Sequence, residues 1–455
     1  MSLFSFLKRE QKEAIGLLQI GTFLEYFDLM LYVHMAVLLN DLFFPKADPH
    51  TASLIAAFAF CSTYVLRPFG ALLFGWIGDN IGRKTTVIIT TMMMAVPCLI
   101  MANLPTYSQI GISAAWIVTL CRMIQGLASM GELTGAEIYL TETLKFPRHY
   151  PIVALLAISS SLGPFLALAV ASLVTSSGFN WRLAFWIGAG IALVGSAART
   201  RLRETPEFVD MKKTIKRAIE ISSCDGLEKA AQLLKSTNIL WKEKLNKKTM
   251  VSYFLIQLGW PIFFYFTYMH CGNVLKNRFG FTPEQVIHQN FKVSFFQLFS
   301  FIIVVFVCKK INPLLILKIR AYVLFSFVCF VPFVMNQLTS PIELFFLQSA
   351  FIFFPLCVVP AVPIFVKHFP VYRRFTCNSF IFASSRVLGY LITSFGIVYL
   401  TETFGSYGLW IMMIPSCLSF LWGVHHFEKL EKQFETPTNT KDLAEELMAS
   451  RSFRA

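Results

Sequence analysis

The chain has 455 residues, of which 55% are hydrophobic and only 15% are charged, and its formal net charge is +14. Soluble domains carry charge on about a quarter of their residues, so this composition excludes an ordinary soluble protein. Lysine and arginine lie mainly in alternate loops, which explains the basic excess by membrane topology. We therefore expect no nucleic-acid partner.

Apolar runs long enough to cross about 30 Å of hydrocarbon, roughly 20 residues each, recur along the chain. They predict an all-α polytopic membrane protein with twelve transmembrane helices in two six-helix halves. The first six predicted spans are residues 14–40, 51–77, 85–103, 110–141, 151–176 and 181–199. The second six are residues 250–275, 286–308, 313–335, 341–366, 375–400 and 405–427.

A polar stretch between the halves divides the chain into four predicted regions. These are an N-terminal six-helix bundle at 1–200, a cytoplasmic linker at 201–249, a C-terminal six-helix bundle at 250–428 and a cytoplasmic tail at 429–455. Basic residues follow spans two, four, eight and ten, and this bias predicts that both termini and the linker are cytoplasmic. Two such halves are the organisation of many secondary transporters.

Acidic residues in the first predicted span mark a candidate ion site, because charge inside a membrane is costly without a partner or a function. Glu25 and Asp28 are three residues apart and share one helix face, and Tyr32 lies one turn further along it. Two acids on one face suit a proton or cation site. The alternative is that they form ion pairs with Arg67 of span two or Arg122 of span four.

A charged turn with the sequence GWIGDNIGRK follows the second predicted span, at residues 75–84. Its glycines allow two helices and their connection to approach closely, and its charges put both signs at one membrane face. Such a turn suits a gate at that face. The candidate gate residues are Gly75, Gly78, Asp79, Gly82, Arg83 and Lys84. Glu142, at the end of span four, is a partner within reach of Arg83.

The fourth predicted span holds further charges, Arg122, Glu132 and Glu137. Glycines in this span allow tight packing. Arg122 and Glu132 must face protein or water because they are charged. Glu132 is therefore a candidate proton relay. Glu137 lies five residues later, on a different side of an ideal helix, and we expect it to have a structural partner.

The second half offers candidates for solute binding. Aromatic residues of span seven, Trp260 and Tyr268 among them, either bind a quaternary ammonium by cation–π attraction or are ordinary packing residues. Arg386 of span eleven either anchors a carboxylate or is a counter-charge for an acid of the first half.

Signals of soluble enzymes are missing from the sequence, which has no P-loop, no GxSxG elbow, no HExxH motif and no metal-spaced set of histidines and cysteines. We therefore expect neither an enzyme nor a resident cofactor or metal. The expected partners are a small-molecule solute, a proton as the coupling ion, and the lipid bilayer.

Several segments resemble the major facilitator superfamily. Residues 75–84 are similar to its signature loop between helices two and three, and residues 122–126 (RMIQG) to its helix-four motif. A narrower resemblance is to the metabolite:proton symporter branch of this superfamily. It lies in segments 25–28 (EYFD), 43–45 (FFP), 66–70 (LRPFG), 131–136 (GELTGA) and 203–207 (RETPE). The resemblance is thin in the second half, where residues 309–313 (KKINP) keep a basic pair but lack the acid and the glycines of the loop.

The resemblance implies proton-coupled uptake of a solute by alternating access at a bacterial inner membrane, by a chain that we expect to be monomeric. Glu25, Asp28, Arg67, Arg122 and Glu132 would line or support the coupling and substrate cavity. Residues 75–84 would form the cytoplasmic gate. The expected solute is betaine, proline, a related zwitterion or an organic acid.

Two other functions stay open at this point. The first is a proton-driven antiporter that exports hydrophobic cations, which Gly163 and Pro164 in span five suggest. The second is a non-transporting sensor or scaffold that acts through the linker, which the degenerate loop at 309–313 suggests.

Overall fold

The computed structural model describes residues 7, 9–45, 63–129, 133–144, 149–176, 180–199, 213, 246–370 and 373–435. All regular structure in these ranges is helical, which confirms the all-α fold. The first half contains α1 (Arg9–Phe43), α2 (Arg67–Asn80), α3 (Arg83–Asn103), α4 (Tyr107–Ile110), α5 (Ile112–Ala128), α6 (Leu133–Thr143), α7 (His149–Ser176) and α8 (Arg182–Arg199). Glu132, the Arg83 side chain and most of the predicted linker and tail lie outside what the structure describes.

The second half begins with α9 (Lys247–Tyr265), a π-helix at Phe266–His270, α10 (Cys271–Phe279), α11 (Pro283–Val307) and α12 (Pro313–Gln337). It continues with α13 (Pro341–Phe353), α14 (Val362–Lys367), α15 (Arg374–Phe404), a 3-10 turn at Gly405–Tyr407 and α16 (Gly408–Glu435). Helices α11, α12 and α13 each begin with proline after Thr282, Asn312 or Ser340, whose side chains accept a backbone N–H of the first turn. Such caps satisfy donors that a helix start leaves free, and they fix where these helices begin.

The helices of the described chain are built to meet lipid. Eight stretches are long and apolar enough to cross a membrane, and one of them, Arg374–Gln433, contains predicted spans eleven and twelve together. Phe69, Trp116 and Phe330 each expose more than half of their surface. Large apolar side chains point outward in this way when hydrocarbon rather than water surrounds the bundle. The chain is therefore a multi-pass membrane protein, as predicted.

The tenth predicted span, 341–366, is not one continuous helix, so this expectation was wrong. Helix α13 ends at Phe353, residues 354–361 are non-helical, and α14 follows. Pro355, Pro360 and Pro363 explain the break, because proline lacks the N–H that a helix interior uses and its ring clashes with the preceding turn. Non-helical backbone at membrane depth is tolerated where it is buried in protein or lines a cavity.

Two pairs of helices join the halves. Helix α2 packs along α15, and α7 packs along α11. Gly75 of α2 lies so close to α15 that a Cβ at this position would be 2.9 Å from the Cα of Thr376. Glycine is thus required for this approach, which holds one end of α2 against the second half.

Candidate solute cavity and gate

A cavity of about 100 Å³ lies between the two halves. A single water needs only ~10–15 Å³ of such space, so the cavity has room for several waters or part of a small solute. Its polar lining comes from Tyr26, Tyr64, Arg67, Glu137, Ser160, Ser161, Gln297 and Arg386. Its aromatic lining in the second half comes from Trp260, Phe264, Tyr268, Phe301, Phe382 and Tyr390. Charged groups and ring faces thus meet around one enclosed space.

Three charged side chains face this cavity. Arg386 donates from Nη1 to the carbonyl oxygen of Gln257 at 3.1 Å, and its guanidinium lies 4.7 Å from the centroid of the Phe382 ring. Arg67 lies 4.2 Å from the ring centroid of Tyr64. Glu137 is 7% exposed. Glu137, for which we expected a structural partner, lines the cavity together with both arginines.

No ion pair of 4.0 Å or less joins Glu137 to Arg67 or Arg386 in the described part of the chain. Arg386 is still near enough to act on Glu137 electrostatically. The cavity therefore presents separated positive and negative groups. Such an arrangement fits a solute that carries charges of both signs better than it fits an internal ion pair.

The aromatic candidates of span seven also reach the cavity. Trp260 stacks on Phe264, with 6.1 Å between ring centroids. Tyr268, inside the π-helix, donates its hydroxyl to Oε1 of Gln297 at 3.2 Å. The amide nitrogen of Gln297 donates in turn to Oγ of Ser161 at 3.5 Å, and this contact crosses from α11 to α7. One polar chain thus links the two halves beside the cavity.

The acids of α1 are placed differently. Glu25 and Asp28 are 4% and 1% exposed, and neither is among the described residues that line the cavity. Asp28 lies near Cys98, and its buried Oδ1 has no hydrogen-bond partner among the described residues. It also fills the space beside Gly188, where a Cβ would be 2.6 Å from Oδ1. The ion pairs with Arg67 or Arg122 that were the alternative for these acids do not occur within 4.0 Å among the described residues.

Arg122 belongs to the same buried cluster as Asp28. Its Nη1 donates to Oε1 of Gln125 at 2.9 Å and to the carbonyl oxygen of Leu29 at 3.4 Å. Its guanidinium lies 4.3 Å from the ring centroid of Tyr32. Gln125 donates in turn to Sγ of Cys98 at 3.4 Å. The first half therefore contains a connected polar cluster of Arg122, Gln125 and Cys98, outside the described cavity lining and close to the Asp28 carboxyl.

The turn at 75–84 contacts the second half directly. Oδ2 of Asp79 accepts hydrogen bonds from the backbone N–H of Thr376 at 3.0 Å and from its hydroxyl at 2.6 Å. A Cβ at Gly78 would lie 3.0 Å from the Phe375 ring. Gly82 ends the turn with φ 153°, a conformation that other residues rarely adopt. These contacts close the membrane face at which the turn lies, which we call the gate face.

Glu142 contacts the second half, whereas its expected contact with Arg83 involves a side chain outside the described residues. Its Oε1 accepts from Nη1 of Arg374 at 3.0 Å, and both residues are buried. Nε of Arg374 donates to the carbonyl oxygen of Phe369 at 3.2 Å. The gate-face contacts thus join acids of the first half to donors of the second half, at the start of α15. The basic pair Lys309 and Lys310 is exposed and takes no part in these bonds.

The halves also touch on the other side of the cavity. Oγ of Ser172 in α7 and Nδ1 of His288 in α11 are 2.7 Å apart, and Nε2 of His288 lies 3.6 Å from Oε1 of Glu284. Contacts between the halves therefore lie on both sides of the cavity. Those on the gate face involve carboxylates, whereas this one is between a hydroxyl and an imidazole.

Sequence reasoning missed several lining residues. An uncharged side chain does not have the high free-energy cost that makes a charged residue stand out in a membrane span. The missed residues are of this uncharged kind, namely Tyr26, Tyr64, Gln297 and Tyr390. The break in span ten had a visible signal, three prolines within nine residues at 355–363. Its residues Cys357, Val358 and Val359 line the cavity.

A helical multi-pass bundle with a polar cavity between two halves defines a membrane carrier. The Major Facilitator Superfamily matches residues 18–394, and the chain belongs to this superfamily. It is accordingly a transporter, not an enzyme. Transporters of this superfamily bind small-molecule solutes within a membrane.

Known proteins are similar over part or all of the chain. The proline/betaine transporter of Salmonella typhimurium is 32% identical over 204 residues, which cover 43% of this chain and 41% of that protein. The inner membrane metabolite transport protein YhjE of Escherichia coli is 33% identical over 205 residues, 43% of this chain and 47% of that one. The matched region thus spans less than half the length of these curated relatives.

Solved structures match at greater length. The proton:xylose symporter XylE from E. coli superposes with a TM-score of 0.72 and 14% identity, covering 92% of this chain and 95% of that one. The human organic anion transporter MFSD10 superposes with a TM-score of 0.65 and 14% identity, covering 92% and 100%. At such identity the likeness shows the fold alone.

Proposed function

We propose that the chain is a proton-coupled symporter that imports a small polar solute bearing a carboxylate, of which proline and betaine are the first to test. The observation that carries this proposal is the cavity in which Arg67, Arg386 and Glu137 face a common space with aromatic rings. Relatives named as proline/betaine transporters, 31–32% identical over part of the chain, support it.

The solute would be held by its two ends. Arginine binds a carboxylate through paired N–H donors, and Arg386 and Arg67 offer two such groups. A quaternary or secondary ammonium is attracted to the faces of aromatic rings, and Trp260 and Tyr268 supply them. Glu137 adds a negative group for the same end of the solute. A zwitterion fits this set more completely than a dicarboxylate does.

The proton would bind in the first half. Asp28 is 1% exposed, next to the Cys98–Gln125–Arg122 cluster, and Glu25 lies on the same helix. Glu132, outside the described residues, is a further candidate. Neutralising a buried carboxyl removes the cost of charge in the membrane, so proton loading would favour one orientation of the half over the other. Release on the other face would reset the carrier.

The gate-face contacts would be the cytoplasmic gate of this cycle. Asp79 and Glu142 hold Thr376 and Arg374, so opening requires those bonds to break. The glycines at 75, 78 and 82, together with Arg83 and Lys84, would let the turn move as one piece. We further propose an inner-membrane location with cytoplasmic termini, a monomer, and the four regions 1–200, 201–249, 250–428 and 429–455.

Export by antiport has less support. Gly163, which suggested it, lies where a Cβ would be 2.7 Å from the backbone oxygen of Phe23 and the backbone nitrogen of Phe27. Close packing of α7 on α1 accounts for this glycine without any antiporter role.

The test uses the purified full chain in liposomes. Uptake of labelled proline and betaine is measured with an inward proton gradient, with none, and with the gradient collapsed by a protonophore. Gradient-driven accumulation is expected for at least one solute. An uptake rate that is the same with and without the gradient would rule out coupling. Solute efflux driven by an inward proton gradient would indicate the antiporter.

A further inference from the structure

Arg320 of α12 is a buried cation that the proposed transport cycle does not use. It is 6% exposed, and it forms no ion pair of 4.0 Å or less with any described carboxylate. A charged side chain inside a membrane bundle is costly unless something compensates it. The compensation here comes from the interrupted span ten.

The guanidinium of Arg320 sits at the end of α13. Nη2 donates to the carbonyl oxygen of Phe353 at 3.3 Å and to Oγ of Ser300 at 3.2 Å, and Ser300 itself donates to the same carbonyl at 2.5 Å. Phe353 is the last residue of the helix. A helix C-terminus carries unpaired carbonyls and partial negative charge, so a cation is stabilised there.

The same guanidinium reaches the non-helical segment that follows. Nη1 of Arg320 contacts Sγ of Cys357 at 3.8 Å, and that thiol donates to the carbonyl oxygen of Val359 at 3.6 Å. Cys357, Val358 and Val359 line the solute cavity on their other side. Phe301, whose ring centroid lies 5.6 Å from the guanidinium, lines it too. Arg320 thus stands directly behind one wall of the cavity.

We propose that Arg320 is a positioning residue for solute binding: it fixes the non-helical segment 354–361 as a wall of the cavity without touching the solute. This inference rests on the proposed function, because it takes the cavity as the solute site. Its two prolines, Pro355 and Pro360, donate no backbone hydrogen bond, so the segment has few such bonds to hold it. The clamp formed by Arg320 and Ser300 fastens its first end.

The chain supplies a matched control. Arg278 makes the same kind of contact at another helix end, since its Nη1 donates to the carbonyl oxygen of Met335 at 2.9 Å and its Nη2 to that of Leu338 at 2.7 Å. Neither Arg278 nor these carbonyls belong to the described cavity lining. Arg278→Gln therefore removes a helix-end arginine without reaching the cavity.

The experiment compares Arg320→Gln, Arg320→Lys and Arg278→Gln in the full chain. The first readout is the rate at which N-ethylmaleimide alkylates Cys357, followed by peptide mass spectrometry without solute. The second is KM and maximal rate for proline and betaine uptake in liposomes. Melting temperature is measured for all variants, so that lost stability is separated from lost positioning.

We expect Arg320→Gln to raise the alkylation rate of Cys357 and the KM each by about tenfold, with a smaller effect on maximal rate. Arg320→Lys keeps the charge but not the paired geometry, so it should fall between the variant and the wild type. Arg278→Gln should lower the melting temperature and leave both readouts unchanged. If Arg320→Gln does not fold, Ser300→Ala tests the same clamp and should shift both readouts in the same direction.

Unchanged Cys357 reactivity in a folded Arg320 variant, with only a lower melting temperature, would reduce Arg320 to a helix cap and overturn the proposal. An equal rise in the Cys357 alkylation rate in Arg278→Gln would overturn the proposal in the same way. Failure of the proposed function is seen separately, as absence of solute-dependent protection of Cys357 in the wild type. The alkylation readout without solute still decides the role of Arg320 in that case.

Discussion

The two halves of this transporter differ in the acids that they bury, although both bury arginines, Arg67 and Arg122 among them in the first half. Every buried acidic side chain in the described part of the chain belongs to the first half, namely Glu25, Asp28, Asp79, Glu137 and Glu142. The second half buries arginines, Arg320 and Arg374, and places Arg386 at the cavity. A buried carboxyl takes up a proton within the range that cells maintain, whereas a guanidinium stays charged.

This difference indicates that the two halves have different roles in transport. Proton binding has its candidates in the first half, while the second half offers fixed positive charge and ring faces to a solute. The halves meet where these features approach each other, at the cavity and at the gate face. Three substitutions can break or sharpen this division.

The largest effect is expected from the second half, at Arg386. Arg386→Gln removes a cation from an enclosed cavity and leaves the solute carboxylate without its partner, which costs ~2–5 kcal/mol for such pairs. Uptake of proline or betaine at low concentration should therefore fall by about 100-fold or more. Initial uptake rates across a solute series check this, and the loss should appear mainly in KM.

Arg182→Gln is the control for this loss. Arg182 also donates to a backbone carbonyl, that of Leu104 at 2.9 Å, but it lies outside the described cavity lining. Its replacement should leave KM near the wild-type value. An Arg386 variant with a normal KM but no gradient-driven accumulation would assign Arg386 to proton coupling instead of solute binding.

The sequence predicted the fold better than it predicted the site. Apolar runs mark spans directly, because the bilayer demands about 20 such residues. Motif residues such as Asp79 were recognisable from a short local pattern. Glu137 lines the cavity, which its position in the predicted span did not indicate.

Partners across the halves were out of reach of the sequence. Glu142 pairs with Arg374, which is 232 positions away in the sequence. Arg320 lies near the start of α12, yet its side chain is buried in the bundle. Such contacts depend on how the helices pack, and no local period or motif encodes that packing.

An intermediate effect is expected from the first half, at Asp28. Asp28→Asn keeps the shape of the side chain but cannot bind and release a proton. A gradient of one pH unit supplies about 1.4 kcal/mol, enough for roughly tenfold accumulation by a one-proton symporter. The variant should lose this accumulation and retain exchange of labelled for unlabelled solute. Both are measured in the same liposomes.

Two parallel variants locate the coupling group. Glu343→Gln changes an exposed acid of the second half that caps α13, and it should leave accumulation intact. Glu25→Gln tests the other acid on the same face of α1. Coupling that survives in Asp28→Asn and disappears in Glu25→Gln would move the proton site within the first half. Coupling that survives in both variants would show that the proton site does not lie on α1.

The smallest effect concerns the gate face, where the two halves share one set of bonds. Asp79→Asn leaves a hydrogen-bond acceptor for Thr376 but removes its charge, and charge roughly doubles the strength of such bonds. We expect a shift of about 1 kcal/mol, or ~5-fold, toward the state that is open at this face. Spin-label distances across the gate face report the populations of the two states.

Lys309→Gln makes this last test a comparison of the halves. Lys309 is exposed, and its amino group lies 4.8 Å from the ring centroid of Phe306, a neighbour in its own half. Its loss should leave the populations near the wild type, because no bond across the gate depends on it in the described structure. Equal shifts from Asp79→Asn and Lys309→Gln would mean that the degenerate loop at 309–313 still carries half of the gate. A shift from Asp79 alone would assign the latch to the first-half turn and the start of α15.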